Sequence, residues 1–308
     1  MKFKAVLLSL IIILGYRSCL SAQTISREEL TFLTSEWKGE RFPDGRPKIP
    51  DNLLVRAKAI GIDDAWTVLK NLGYVNQFEK GFKSVNDLVV TGRAVTAMFM
   101  PSRQDVEKNI KDRGAKQGRT GNTNSWPIET LTKGDVYVAD GMGKIAEGSL
   151  IGSTLGTSIF AKTGTGVVFD ASARDVYGLQ DIKGFNAYVR EFHPSFLVGE
   201  VLLGLNTPIR IGGALVLPGD LVIANKEGVL FVPAHLAEQV VSTAEFVNKL
   251  DMFKFEVVKA GTFTTGQIDN DWPDTLKVAF LDWLNNKHAE LGRMTRAELD
   301  NMMKNRTW

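Results

Sequence analysis

Two kinds of apolar periodicity divide this chain. Ala65, Val68, Leu69 and Leu72 recur at helical spacing, with Asp64 as the expected cap and Gly73 as the stop. Residues 88–100 are mostly β-branched and apolar, which predicts a strand ended by Pro101, whereas residues 104–127 are polar and rich in Gly and Asn and read as a surface loop. From Gly134 the pattern alternates: a strand over residues 135–139, a helix over 154–162 stopped by Gly164, a strand over 167–169 and a short helical turn over 176–182. Strands alternating with short helices predict an α/β fold.

The flanking segments read differently. Ser26-Arg-Glu-Glu29 is a capping-box pattern opening a short helix, and residues 41–52, rich in Pro, Gly and charge, read as a loop. After Ala234 the periodicity turns helical: Leu236, Val240, Val241, Ala244, Val247 and Leu250 share one face, residues 274–291 form a second amphipathic stretch opened by Pro273 and Asp274, and Thr295-Arg-Ala-Glu298 is another capping box. This tail is expected to be a packing or oligomer element. Gly134-Asp135-Val-Tyr-Val-Ala and Gly219-Asp220-Leu-Val-Ile-Ala echo one another, which we read as a recurring strand-turn unit and not a duplicated domain.

Composition refines the picture. The 308 residues are 44% apolar and 23% charged with a formal net charge of +2, which excludes disorder and gives no basic field pointing to nucleic acid as a partner. Lys2 and Lys4 precede the apolar run of residues 5–14, and Ser21-Ala22 follow, so residues 1–22 read as a secretory signal peptide too short to span a membrane. Its removal takes Lys2, Lys4 and Arg17 and no acid from 37 basic and 35 acidic residues, leaving 34 against 35. The only cysteine, Cys19, leaves with it, which excludes disulfides, thiolate nucleophiles and Cys-zinc sites from the remaining chain. We expect an exported protein, periplasmic or secreted, with no membrane contact after cleavage.

Several chemical signals are weak. No two of His193, His235 and His288 stand at i, i+4 spacing. Gly141-Met-Gly-Lys-Ile-Ala146 imitates a dinucleotide fingerprint without the acid that should end a second strand. Ser35-x-x-Lys38, Ser84-x-Asn86 and Lys162-Thr-Gly164 occur in the order of a penicillin-recognising serine enzyme, but Gly39, Pro43, Gly45 and Pro47 deny Ser35 its helix. The strongest constellation runs from Gly148 to Asp175. Gly152-Ser153-Thr154-Leu155 opens a helix whose free amides suit a carboxylate or phosphate. Arg174 and Asp175 follow a strand, where α/β folds place ligands; the arginine can grip a carboxylate and the aspartate suits Mg²⁺ or Mn²⁺. From the residues alone, a solvated Arg-Asp surface pair is an equal reading.

A resemblance tips that balance. Residues 64–93, Gly134-Asp135, Asp140-Gly141, residues 152–175, Ile209-Arg-Ile-Gly-Gly213 and Pro218-Gly-Asp220 through Gly228-Val229 occur in the order of the family of the RNase E activity regulator RraA and the class II 4-hydroxy-4-methyl-2-oxoglutarate aldolases, which the chain resembles over about residues 55–235. The resemblance implies a β/β/α swivelling-type fold, a homotrimer or dimer of trimers with sites between protomers, a divalent metal, and lyase chemistry that cleaves a C–C bond of a 2-oxo acid such as oxaloacetate to release pyruvate. Together with the residue patterns it gives expected domains at 1–22 (signal peptide), 23–54 (helix and loop), 55–235 (RraA-like) and 236–308 (C-terminal helical extension). It carries substrate binding to Gly152, Ser153, Thr154, Leu155 and Arg174, catalysis to Arg174 and Asp175, and metal binding to Asp175. The family turn often carries an acid where this chain has Ser153, and another where it has Gly178; the first helps position the water of proton transfer. Asp140, His193 and a metal-bound water stand as base candidates. The rival expectation is an exported ring protein that binds a small carboxylate or a protein partner without catalysis. A ribonuclease-regulating role ranks last, since export would separate it from a cytosolic nuclease.

Overall fold

The structure, a computed structural model, describes residues 24–306 and Trp308; the expected signal peptide lies outside them. In chain order the elements are α1 (Arg27–Leu33), α2 (Asp51–Arg56), α3 (Ile62–Asn71), β1 (Phe78–Glu79), β2 (Lys83–Ser84), β3 (Val90–Pro101), α4 (Gln104–Lys116), β4 (Asp135–Ile151), α5 (Ser153–Thr163), β5 (Val167–Ala173) and α6 (Val176–Gln180). There follow β6 (Ala187–Phe192), β7 (Glu200–Leu205), β8 (Ile209–Ile211), β9 (Ala214–Val216), β10 (Leu221–Asn225), β11 (Gly228–Val232), α7 (Ala237–Lys259), α8 (Thr265–Ile268), α9 (Asp274–Asp282) and α10 (Arg296–Lys304).

Nine strands form one mixed sheet in the order β1-β11-β10-β3-β4-β5-β6-β2, with β7 added beside β3; β3, β4, β5 and β6 run parallel, and β8 and β9 make a separate hairpin. Strands covered on both faces are buried along nearly their whole length, which is why β3 and β5 show no alternation of buried and exposed positions. One face, carrying Val95, Ala97, Phe99, Tyr137, Ala139 and Phe169, packs on Ile110 of α4, Ile159 of α5 and Leu179 of α6. Leu221, Ile223, Leu230 and Val232 pack there on α2, α3 and the start of α7. The opposite face, carrying Ala94, Val136, Val138, Val168 and Val222, packs on Ile209, Ile211, Ala214 and Val216 of the hairpin. Hairpin, sheet and helices thus make the expected β/β/α layering, and the C-terminal helices close a further aromatic cluster of Phe246, Phe253, Phe280 and Trp283. Among the described residues, no helix is long and apolar enough to cross a membrane.

The sequence echo has a local cause. Asp135 and Asp220 are both buried, and each accepts the backbone N–H three residues before it, from Thr132 (2.9 Å) and Leu217 (2.8 Å). The two strands that follow flank β3 from either side, one parallel and one antiparallel. The same buried turn serves two neighbouring strands.

Three expectations need correction. Residues 104–127 are not a loop: α4 and a 3-10 segment, Thr123–Thr130, occupy them. α3 begins at Ile62 with Gly61 as its cap, so Asp64 lies in the first turn, where a carboxylate meets the positive end of the helix. The amphipathic stretch at 274–291 is broken by a π turn at Trp283–Lys287.

Candidate active site

The parallel strands β4 and β5 end side by side, Ile151 paired with Ala173. Gly152 then turns the chain into α5, and no side chain caps the first amides of that helix. Open N–H groups and the positive helix end there favour an anion. Beyond β5, the Arg174 N–H donates to the Ile151 carbonyl (3.0 Å), so the two strand exits are tied together. Asp175 then adopts a left-handed backbone, φ +56° and ψ +43°, and caps α6. That conformation costs a non-glycine residue about 1 kcal/mol, and aspartate tolerates it better than most.

This kink turns the Asp175 carboxylate back over Gly152. A Cβ on Gly152 would stand 2.5 Å from Asp175 Oδ2, so a side chain there would displace the carboxylate from this position. Arg174 Nη1 lies 3.4 Å from Asp175 Oδ2, and their side chains are 42% and 40% exposed. The pair is therefore reachable by a ligand and is also fixed to the anion turn.

The cleft beside this turn has a volume of about 560 Å³. Gly152, Thr154, Leu155 and Arg174 line it while Ser153 and Asp175 lie outside its lining, α4 contributes Glu107 and Lys111, and Phe196, Val198 and Glu200 complete the lining with polar residues such as Asn122 and Asn124. Lys111 pairs with Glu107 at 2.6 Å. The Glu200 side chain is 1% exposed, neither carboxylate oxygen has a hydrogen-bond partner, and Lys144 Nζ stands 3.6 Å away. Burial pushes the Glu200 carboxyl up to about 7, with Lys144 opposing and Asp140 adding to the rise.

The positions where the family carries acids touch one another. A Cβ on Gly178 would meet Ser153 Cβ at 2.8 Å, so the first turn of α6 lies against the first turn of α5 with no space for a larger side chain. Neither base candidate lines the cleft. Asp140 follows Val136 and Val138 on the hairpin side of the sheet and accepts the Met142 N–H (2.9 Å), while burial raises its carboxyl above the usual range. His193 Nδ1 is engaged with Ser195 Oγ at 2.8 Å.

Glu107, Lys111, Phe196, Val198 and Glu200 escaped the sequence reading because they come from two stretches far apart in the chain, 107–111 and 196–200. The one available signal was an acid, Glu200, opening the apolar run Val201-Leu-Leu203. Among the described residues, no three His, Cys, Asp or Glu gather as a metal cage. A single hard carboxylate, partly exposed, does suit a cation that keeps most of its waters and takes further oxygens from its ligand, as Mg²⁺ does.

The family model described as RraA-like, Aldolase/RraA, matches residues 59–231. An uncharacterized protein from Pseudomonas syringae pv. tomato str. DC3000 superposes with a TM-score of 0.61 at 21% identity, over 75% of this chain and 98% of that one. Streptomyces coelicolor RraAS2, described as an unusual member of the RNase ES inhibitor RraA protein family, superposes with a TM-score of 0.58 at 25% identity, over 68% of this chain and 99% of that one.

Proposed function

The chain belongs to the RraA-like, Aldolase/RraA family, and from that premise we propose that its cleft is a divalent-metal-dependent lyase site that cleaves a C–C bond of a 2-oxo acid and releases pyruvate. The family fold serves aldolases and non-catalytic inhibitor-like proteins alike, and metal dependence is common within it. The observation that carries the enzymatic reading is the convergence of Gly152, Arg174 and Asp175, in which the carboxylate lies over the glycine beside the guanidinium.

The roles follow from the atoms. The α5 amides at 153–155 and the Arg174 guanidinium hold the substrate carboxylate. The same donors stabilise negative charge developing on the 2-oxo oxygen as the C–C bond breaks. Asp175, with substrate oxygens and water, would hold Mg²⁺ or Mn²⁺, which supplies Lewis acidity toward the 2-oxo group. We propose the same chain to be exported and to assemble as a homotrimer or dimer of trimers.

A second reading has its own support. Ser153 and Gly178 touch, leaving no carboxylate where the family places its acids, which favours a ring protein that binds a small carboxylate or protein partner without turnover. A pyruvate-coupled assay with oxaloacetate or 4-hydroxy-4-methyl-2-oxoglutarate, with and without Mg²⁺, separates the two. We expect metal-dependent pyruvate release, reduced about a hundredfold or more in Asp175→Asn. Full metal-dependent release by Asp175→Asn removes Asp175 from its role, and no release by the wild type favours the binding protein.

A further inference from the structure

We propose that the acid taken by this cleft carries an apolar arm, of branched-alkyl or aryl size, and that Phe196 selects for it. The inference rests on the reading of the cleft as a 2-oxo acid site.

Size is the first support. The cleft volume of about 560 Å³ lies in the range of roughly 300–1,000 Å³ that seats drug-sized ligands, far more than a three- or four-carbon acid fills. Polarity is the second. The α5 amides and Arg174 give the cleft a site for an anion, and Phe196, Val198 and Leu155 give it apolar surface among polar neighbours such as Asn122 and Asn124. Phe196 is 67% exposed and Val198 38%, whereas Leu197 between them packs into the main apolar cluster. An exposed phenylalanine forgoes about 1.5–3 kcal/mol of burial, which a ligand arm covering it in the cleft would recover.

Rigidity is the third support. Phe196 sits on an irregular segment, residues 193–199, that is tied at both ends. Ser149 Oγ donates to the His193 carbonyl (3.0 Å), the Glu147 N–H to Ser195 Oγ (2.6 Å), the Val198 N–H to the Glu147 carbonyl (2.9 Å), Lys144 Nζ to the Val198 carbonyl (2.6 Å) and the Ser102 N–H to the Gly199 carbonyl (2.7 Å). A segment held in this way presents Phe196 in a fixed place, so a ligand arm is met by a preformed wall.

The test is calorimetric binding of pyruvate and of 2-oxo-4-phenylbutanoate to the full chain, with and without Mg²⁺. The phenyl acid should bind about tenfold or more tightly than pyruvate. Phe196→Ala should erase most of that preference by weakening the phenyl acid more than pyruvate, and Phe196→Leu should restore part of it. Equal binding of the two acids to the wild type, or a preference that survives Phe196→Ala, overturns the inference while the 2-oxo acid site stands. Binding of neither acid overturns both. A change of oligomeric state in Phe196→Ala on size-exclusion chromatography also overturns it, by assigning Phe196 to a contact between copies.

Discussion

A methyl group on Gly152 would stand within 2.5 Å of the Asp175 carboxylate, and this one close approach sets the sharpest expectation at the residue scale. Gly152→Ala should push Asp175 aside, weaken metal-dependent binding of a 2-oxo acid about tenfold or more, and leave the sheet folded. Calorimetry with and without Mg²⁺ reads the first effect and a thermal melt the second; unchanged binding would separate Asp175 from the anion turn. Glu200 gives a pH signature. Its carboxyl is pushed by burial from 4.5 to about 7, so the neutral form belongs to the fold. The stability this provides is complete below about pH 4.5 and is lost as pH rises through 7. Glu200→Gln carries no such loss, so its stability relative to the wild type should rise from pH 5 to pH 8, by about 1–3 kcal/mol. Urea denaturation at the two pH values checks it, and an equal difference at both would show that Glu200 is ionised throughout. The strand-end positions of Gly152, Arg174 and Asp175 could be read along the chain, but the pattern left a solvated surface pair as an equal reading, and only the family resemblance tipped the balance toward a site. Glu200 and Phe196 were not legible, because no spacing along the chain marks residues that only folding brings to the same cleft.

At the scale of elements, α4 shows how a helix hides. Its apolar stripe is narrow, Val106, Ile110 and Gly114, and the glycine reads as a breaker. In the fold Gly114 is buried with the six-membered ring of Trp126 against it, where a Cβ would collide with the ring. An alanine in place of a helical glycine ordinarily gains about 0.5–1 kcal/mol. Here the ring cannot swing away: Trp126 is 4% exposed and its indole N–H donates to the Thr120 carbonyl (3.1 Å). Gly114→Ala should therefore destabilise the protein by about 1–3 kcal/mol, with a lower denaturation midpoint as the readout; a gain in stability would mean that the ring yields. Where local chemistry decides alone, the pattern was readable. The Thr295–Glu298 capping box forms with both of its hydrogen bonds, and Gly164 ends α5 in a left-handed turn at φ +67°.

Across the whole molecule, the alternation of strands and helices announced an α/β fold, and the family resemblance supplied the hairpin layer that periodicity could not. β8 and β9 are three residues each, too short for a pattern, and they earn their place by covering Val136, Val138 and Val168. The C-terminal region is helical as expected, but it is not strung on a linker. The first half of α7 packs with Leu221 and Val232 of the sheet, through Val240, Val241 and Ala244, and the second half anchors the aromatic cluster through Phe246, Leu250 and Phe253. One unbroken rod of 23 residues is thus cemented at each end into a different core. A fluorophore attached to α10 would consequently tumble at the pace of the sheet, and its anisotropy decay would carry the rotational clock of the entire particle.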